Sequence, residues 1–357
     1  MSQPTSPSTP AAGRRAAAGA LVLAVALLTG CGVRAESPAP TEPVPDAAEA
    51  SRRAAVTDVV DVRAQARASL DELTGARDSA KDAKDGKKKA ATKGSTDTGP
   101  AAAELEAIIA ESDAHLTALG GVYVSGLTDA DGTPHPPEPS PAAPASGTAA
   151  AVERLAQAYS RTRGALASQD DDGAARLMAS IAVAQLTRAR ELANASGTPM
   201  PETEAPASAV VPSEAPERPD LDVAVLVLSE DNAGYAYEVA APRLADGQRV
   251  AARARAAEHR ARAEAWARLG GIAGTAQDPR RVAYAVPAAL LVDIPDLSVL
   301  AGLETTLATG YATLVGSAGP ELRVTMLDLL GDSYAASLTW GANHVPFPGL
   351  PEALTAG

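Results

Sequence analysis

Proline sets the partition of this chain. It gathers at residues 32–49 (Pro38, Pro40, Pro43, Pro45), at 128–147, and at 197–219 (Pro199, Pro201, Pro206, Pro212, Pro216, Pro219). It recurs in a connection after Gly270-Gly271 that carries Pro279, Pro287 and Pro295. Inside a helix, proline removes a backbone donor and clashes with the preceding turn, at a cost of about 3 kcal/mol, so helices must lie between these segments. Residues 84–100 form a further break, rich in Lys, Gly, Ser and Thr. The segments at 84–100, 128–147 and 197–219 have the composition of loops or disordered linkers.

Between the breaks, apolar residues recur at spacings of three and four, the period of an amphipathic helix. Val56, Val59, Val60, Arg63, Ala66, Leu70 and Leu73 follow it, as do Leu105, Ile108, Ile109, Leu116 and Leu119. Leu177, Ile181, Ala184, Leu186 and Leu192 mark another face. The spacing predicts helices over 50–83, 101–120, 148–168 and 172–195 in the first half. The second half gives 220–241, 243–269, 296–316 and 319–340. Asp170-Asp171-Asp172-Gly173 supplies a turn with an N-cap, Asp296 supplies another, and Gly270-Gly271 is a stop. Val223 to Leu228 is strand-like in composition but leads directly into a helical stretch, and is read as helix. Alanine dominates the apolar fraction and aromatics are only 3% of residues. Alanine is the best intrinsic helix former, and small side chains let helices approach closely. The expected fold is all-α, with two helical bundles. The expected boundaries are a leader at 1–30, a proline-rich tether at 31–49, a helical domain at 50–196, a linker at 197–219 and a second helical domain at 220–357.

The leader ends at the only cysteine of the 357 residues. Arg14 and Arg15 precede an apolar run, Ala16 to Leu28, that is shorter than the roughly 20 residues a spanning helix needs. Leu28-Thr29-Gly30-Cys31 then resembles the lipobox of bacterial lipoproteins, which implies cleavage before Cys31 and diacylglycerol on its sulfur. Two or more acyl chains give stable anchoring, at about 0.8 kcal/mol per buried methylene. The resemblance places the chain on the outer face of the cytoplasmic membrane. An uncleaved anchor or an ordinary secreted protein are the alternatives; the arginine pair lacks the rest of a twin-arginine motif.

The formal charge is −13. Loss of residues 1–30 removes two arginines and no acid, which makes it more negative still. Such a chain is repelled by nucleic acid, so none is expected as a partner. Lys84, Lys87, Lys88, Lys89 and Lys93 form a basic loop, read as solvated rather than as a lipid contact. No Gly-x-Ser-x-Gly, P-loop or dinucleotide fingerprint occurs, and the four histidines are scattered. No catalytic residue is assigned.

One family likeness emerges in the second half. Ser229-Glu230, Gly234-Tyr235-Ala236-Tyr237-Glu238, Glu258-His259-Arg260-Ala261-Arg262, Leu303-Glu304, Gly310-Tyr311, Trp340 and Phe347-Pro348-Gly349-Leu350-Pro351 carry it. With them, residues 220–357 resemble the ferritin-like domain of unknown function of actinobacterial proteins, many of them lipoproteins. The resemblance implies a four-helix bundle and no established activity. A dinuclear metal site in such a bundle takes one Glu from each of two helices and Glu-x-x-His from each of the other two. Glu230 and Glu304 could be the single glutamates, but Glu258 and His259 are adjacent, about 100° apart around the helix. The fourth helix offers Asp328 and Asp332 without a histidine. The ligand set is therefore incomplete and no metal or other cofactor is expected, although Glu230, Glu258, His259 and Glu304 would be the ligands if one bound. His259 amid Arg253, Arg255, Arg260 and Arg262 makes a basic helix that could pair with Glu230, Glu238 or Glu304 or bind an anion, and it reads first as a salt-bridged solvent face. Glu111 with His115 reads as a helix-surface pair or a satisfied core histidine. The expected role is a non-catalytic binding or scaffold protein of the cell envelope, partnered by an unknown envelope protein or ligand. Tyr235, Tyr237, Tyr311 and Trp340 are candidates for contact or for core. The alternative role is a ferritin-like iron or manganese protein.

Overall fold

The computed structural model describes residue 42 and residues 44–85, 99–129, 131–203, 205–206, 209–213, 222–317 and 319–354, with side chains described only as far as 75 in the first long segment. Cys31, the leader, most of the tether and four of the five loop lysines lie outside the described residues. The described residues hold eight α-helices: α1 Ala47–Asp85, α2 Pro100–Ala118, α3 Thr148–Ala165, α4 Asp172–Ser196, α5 Val223–Ala240, α6 Asp246–Leu269, α7 Leu297–Ser317 and α8 Pro320–Thr339. Each matches one expected helix to within a few residues. No strand occurs among the described residues, only isolated bridges such as Tyr123 to Glu138. No described helix is long and apolar enough to cross a membrane.

Local signals in the chain account for the ends. Asp171 caps α4 by accepting from Ala174 N at 2.7 Å, and Asp222 caps α5 by accepting from Ala224 N. Asp296 accepts from Ser298 N at the start of α7. Pro100 and Pro320 sit in the first turns of α2 and α8, where no donor is lost. The Val223–Leu228 run is helical, as its continuation into Ser229–Ala240 requires.

The helices pack as sequential hairpins, α1 on α2, α3 on α4, α5 on α6 and α7 on α8, and α4 lies against both α7 and α8. One apolar cluster therefore draws on both halves: Val56, Tyr159, Met178 and Val183 join Leu226, Trp266, Tyr311 and Leu330. Ala209 and Val211, within the proline-rich stretch 197–219, are buried in the same cluster. Polar stitches reinforce it. Arg163 forks onto Asp328 at 3.1 and 2.9 Å, and the buried Arg323 reaches Val315 O, Gln169 O and Asp172.

Two irregular segments are tied down. The loop before α3 hydrogen-bonds along α1, through Asp61 to Ala142 N and through Gln65 to both backbone groups of Ala145. The tail after α8 folds back, as a segment too rich in proline for a helix must. His115 donates from Nε2 to Pro346 O at 2.7 Å, Ser180 donates to Pro348 O at 2.8 Å, and Phe347 and Leu350 are buried. Gly349 has φ +76°, and a Cβ there would lie 2.6 Å from Ala312 Cβ, so only glycine permits this approach.

Candidate functional site

The chemistry of the second half converges on the space between α5, α6, α7 and α8. On α6, Arg255, His259, Arg262 and Trp266 follow one another at four, three and four residues and so share a face. All four are buried. α5 contributes Glu230 and Tyr237; α7 contributes Glu304 and Tyr311. In both helices the tyrosine follows the glutamate by seven residues, two turns. The pairing is reciprocal: Tyr237 donates to Glu304 Oε1 at 2.9 Å, and Tyr311 donates to Glu230 Oε1. Such crossing needs α5 and α7 to run antiparallel in register.

His259 bridges the two carboxylates. Its Nδ1 is 2.5 Å from Glu230 Oε2 and its Nε2 is 3.1 Å from Glu304 Oε1, with all three side chains at 0% exposure. A carboxylate only accepts, so both ring nitrogens must donate and the ring is an imidazolium. Burial pushes its pKa down, but Glu230 and Glu304 together outweigh burial and raise it. Arg255 forks onto Glu304 with Nε to Oε1 at 2.6 Å and Nη2 to Oε2 at 2.8 Å. Its Nη1 reaches Asp332 at 2.5 Å and Glu258 at 2.9 Å. Arg262 Nη2 lies 2.7 Å from Asp332, although neither terminal nitrogen makes an aligned hydrogen bond among the described residues. Burial alone would raise Glu304; the bonds from Arg255 and His259 outweigh it and hold the carboxyl at about 2. Burial, joined by the carboxylate each faces, pushes the Tyr237 and Tyr311 hydroxyls up, so both stay protonated donors. The cluster thus sets two guanidiniums and one imidazolium against Glu230, Glu304 and Asp332, with Glu258 at the rim. Removing any one member leaves a buried charge unbalanced, which costs several kcal/mol.

These residues do not fit a dinuclear metal. Arg255, a permanent cation, holds both oxygens of Glu304, and His259 takes one oxygen of each glutamate. Glu258, the remaining candidate ligand, is 43% exposed and points to Arg255 from the rim. Among the described residues no group of three or more His, Cys, Asp or Glu side chains is disposed to hold a metal ion.

Three of the four candidate ligands, Glu230, His259 and Glu304, are brought together; Glu258 stands apart. The solvent-face reading of this basic cluster is corrected for Arg255, His259 and Arg262, which are buried because Glu230, Glu304 and Asp332 meet them there. Arg253 is exposed, and Arg260 pairs with Asp231 and Glu238 near the surface. Glu111 does not pair with His115. It binds Arg188 at 2.5 Å, while His115 is a satisfied core histidine, bonded to the tail. Tyr237, Tyr311 and Trp340 belong to the core, and Tyr235 is half-buried beside Tyr284. The sequence names Arg255, Arg262, Asp332 and the tyrosines but does not show that they close together around the two glutamates. The repeated Glu-x6-Tyr and the four-three-four spacing on α6 are the signals that would have shown it.

The long connection from α6 to α7 is anchored at Leu290, fully buried, and at Tyr284, which donates to Asp231 at 2.5 Å. Residues 223–352, from the start of α5 into the tail, match a domain of unknown function (DUF4439). No curated protein and no solved structure matches the chain.

Proposed function

We propose that this chain is a non-catalytic binding or scaffold protein of the cell envelope, held on the outer face of the cytoplasmic membrane by diacylglycerol on Cys31. In this reading α5–α8 form a ferritin-type four-helix bundle, and organic cations do at its centre what metal ions do in a dinuclear bundle: they neutralise converging carboxylates. The observation that carries it is the saturation of Glu304, whose two oxygens accept from Arg255, His259 and Tyr237. A carboxylate so engaged is free neither to bridge metals nor to take up a proton. The Arg14 to Cys31 leader pattern supports the address, and the acidic charge supports a partner other than nucleic acid.

Metal analysis tests the core. Purified full-length protein, incubated with excess Fe(II) or Mn(II) and dialysed, should retain no stoichiometric metal. Retention that disappears in Glu230→Ala would overturn the reading and make the chain a ferritin-like metal protein. The address has a separate test. Cys31→Ser should move the protein from the membrane to the soluble fraction and abolish labelling by an alkyne fatty acid; unchanged labelling refutes the anchor.

A further inference from the structure

α5 and α7 touch through Glu230, Tyr237, Glu304 and Tyr311, but away from that pairing they part and leave a groove of about 400 Å³. Val225, Leu226 and Ala233 of α5 face Leu303, Leu307 and Leu314 of α7 across it. The lining runs from Asp222 to Ala233 and from Leu303 to Leu314, eleven residue steps in each case, so the groove is roughly 16 Å long at 1.5 Å per residue. Its volume falls in the range of about 300–1,000 Å³ common to small-molecule sites, which are mostly apolar with a few placed polar groups.

The polar side chains of this lining are mostly spent. Thr306 and Thr313 donate to Gly302 O and Thr309 O of their own helix. Tyr311 turns its hydroxyl to Glu230, and Asp222 caps α5. Of the polar side chains in the lining, Ser229 and Asn232, one turn apart midway along α5, make no hydrogen bond to the described residues. Among the described residues no lysine or arginine lines the groove, and Asp222 at one end is the only acid.

Gly310 adds an independent sign. A glycine inside a helix costs roughly 1 kcal/mol relative to alanine. Gly234 on α5 repays such a cost by close packing, with Arg260 Cδ at 3.1 Å and Ala256 O at 3.3 Å from a Cβ built on it. Gly310 lines the groove, has helical backbone, and would meet nothing within 4 Å if it carried a Cβ.

From these features we infer that the α5–α7 groove binds an uncharged single-chain lipid ester of the monoacylglycerol class. Its chain lies along the aliphatic lining over Gly310, and its one polar group is bonded by Ser229 and Asn232. An anionic chain end finds no cation among the described residues there and meets Asp222. The inference deepens the binding-protein reading and rests on it, but its readout is independent of the metal and anchor tests.

The test uses the full-length chain as Cys31→Ser, so that no acyl group of its own competes. N-phenyl-1-naphthylamine, an uncharged fluorophore, should brighten on titration, and 1-monolauroylglycerol should displace it well below the concentration at which laurate does. Gly310→Leu should abolish displaceable binding while raising or preserving Tm, because leucine is the better helix former. Thr306→Phe should do the same, so a fault in one variant does not decide the outcome. Ser229→Ala with Asn232→Ala should weaken the monoacylglycerol by roughly two- to tenfold, the effect of a neutral hydrogen bond. Unchanged affinity in folded Gly310→Leu and Thr306→Phe, equal displacement by laurate, or no probe binding at all overturns the assignment.

Discussion

His115 and His259 are equally shut away from water, at 3% and 0% exposure, yet they sit in opposite electrical settings. His115, on α2, faces the Phe347 ring and one carbonyl oxygen; burial pushes its pKa down to about 4 and it is neutral. His259, on α6, faces two carboxylates, and its pKa is raised. The same contrast separates the arginines. Arg188 gathers Glu104, Glu111 and Glu191, whose side chains keep 13–28% exposure, whereas Arg255 meets a fully buried Glu304. Burial alone does not set the protonation of a group. The partners that neighbouring helices deliver decide it, and they also decide how much stability rides on the group.

The largest effect that would break the comparison is loss of one buried charge. Glu304→Gln should cost about 3–5 kcal/mol, because Arg255 and the His259 imidazolium lose their counter-charge without access to water. Arg188→Gln should cost distinctly less, since its carboxylates can be rehydrated. Urea unfolding of the two variants measures this, and equal losses would erase the distinction between the halves.

The pH dependence of the two histidines is next, with opposite signs. The native pKa of His115, about 4, lies below the unfolded value near 6.5. Below pH 6.5 the unfolded chain therefore takes up a proton that the native state refuses, and stability falls by about 3 kcal/mol as pH drops toward 4. The raised pKa of His259 works the other way: its contribution is complete below pH 6.5 and fades as pH rises through the native value. His115→Gln should flatten the acid side of a stability–pH curve, and His259→Gln should flatten the alkaline side. An acid slope that survives His115→Gln would show that other groups control it.

The smallest expected effect concerns the tyrosines. Tyr237→Phe and Tyr311→Phe each remove one donor to an ionised glutamate and should cost about 1.5–3 kcal/mol. Their reciprocal geometry predicts similar values, and a large inequality in thermal unfolding would show that the two ends of the α5–α7 pairing are not equivalent.

Much of this was legible in the chain. Proline positions and apolar spacing located eight helices, and Asp171, Asp296 and Gly270-Gly271 marked ends, because these are local effects of backbone sterics and capping. Glu230, His259 and Glu304 were singled out together. Arg255 and Arg262 were not, because they alternate with alanines on a helix of mixed polarity. On α6 the buried residues Ala252, Ala256 and Ala263 carry too little apolar surface to mark the inner face. With alanine in place of leucine, periodicity loses its contrast. The mate of Glu111 was likewise misjudged, since Arg188 lies 77 residues away in sequence.

By itself, then, the sequence determined an all-helical chain and the ends of its helices, since propensity, capping and proline act within a few residues. Only the tertiary structure decided that both halves share one apolar cluster, and that the tail crosses between them through His115 and Ser180. It also decided that arginines, histidine and tyrosines close upon Glu230, Glu304 and Asp332. Those outcomes depend on charges from four helices meeting where water is excluded, and no local pattern encodes which of them will meet.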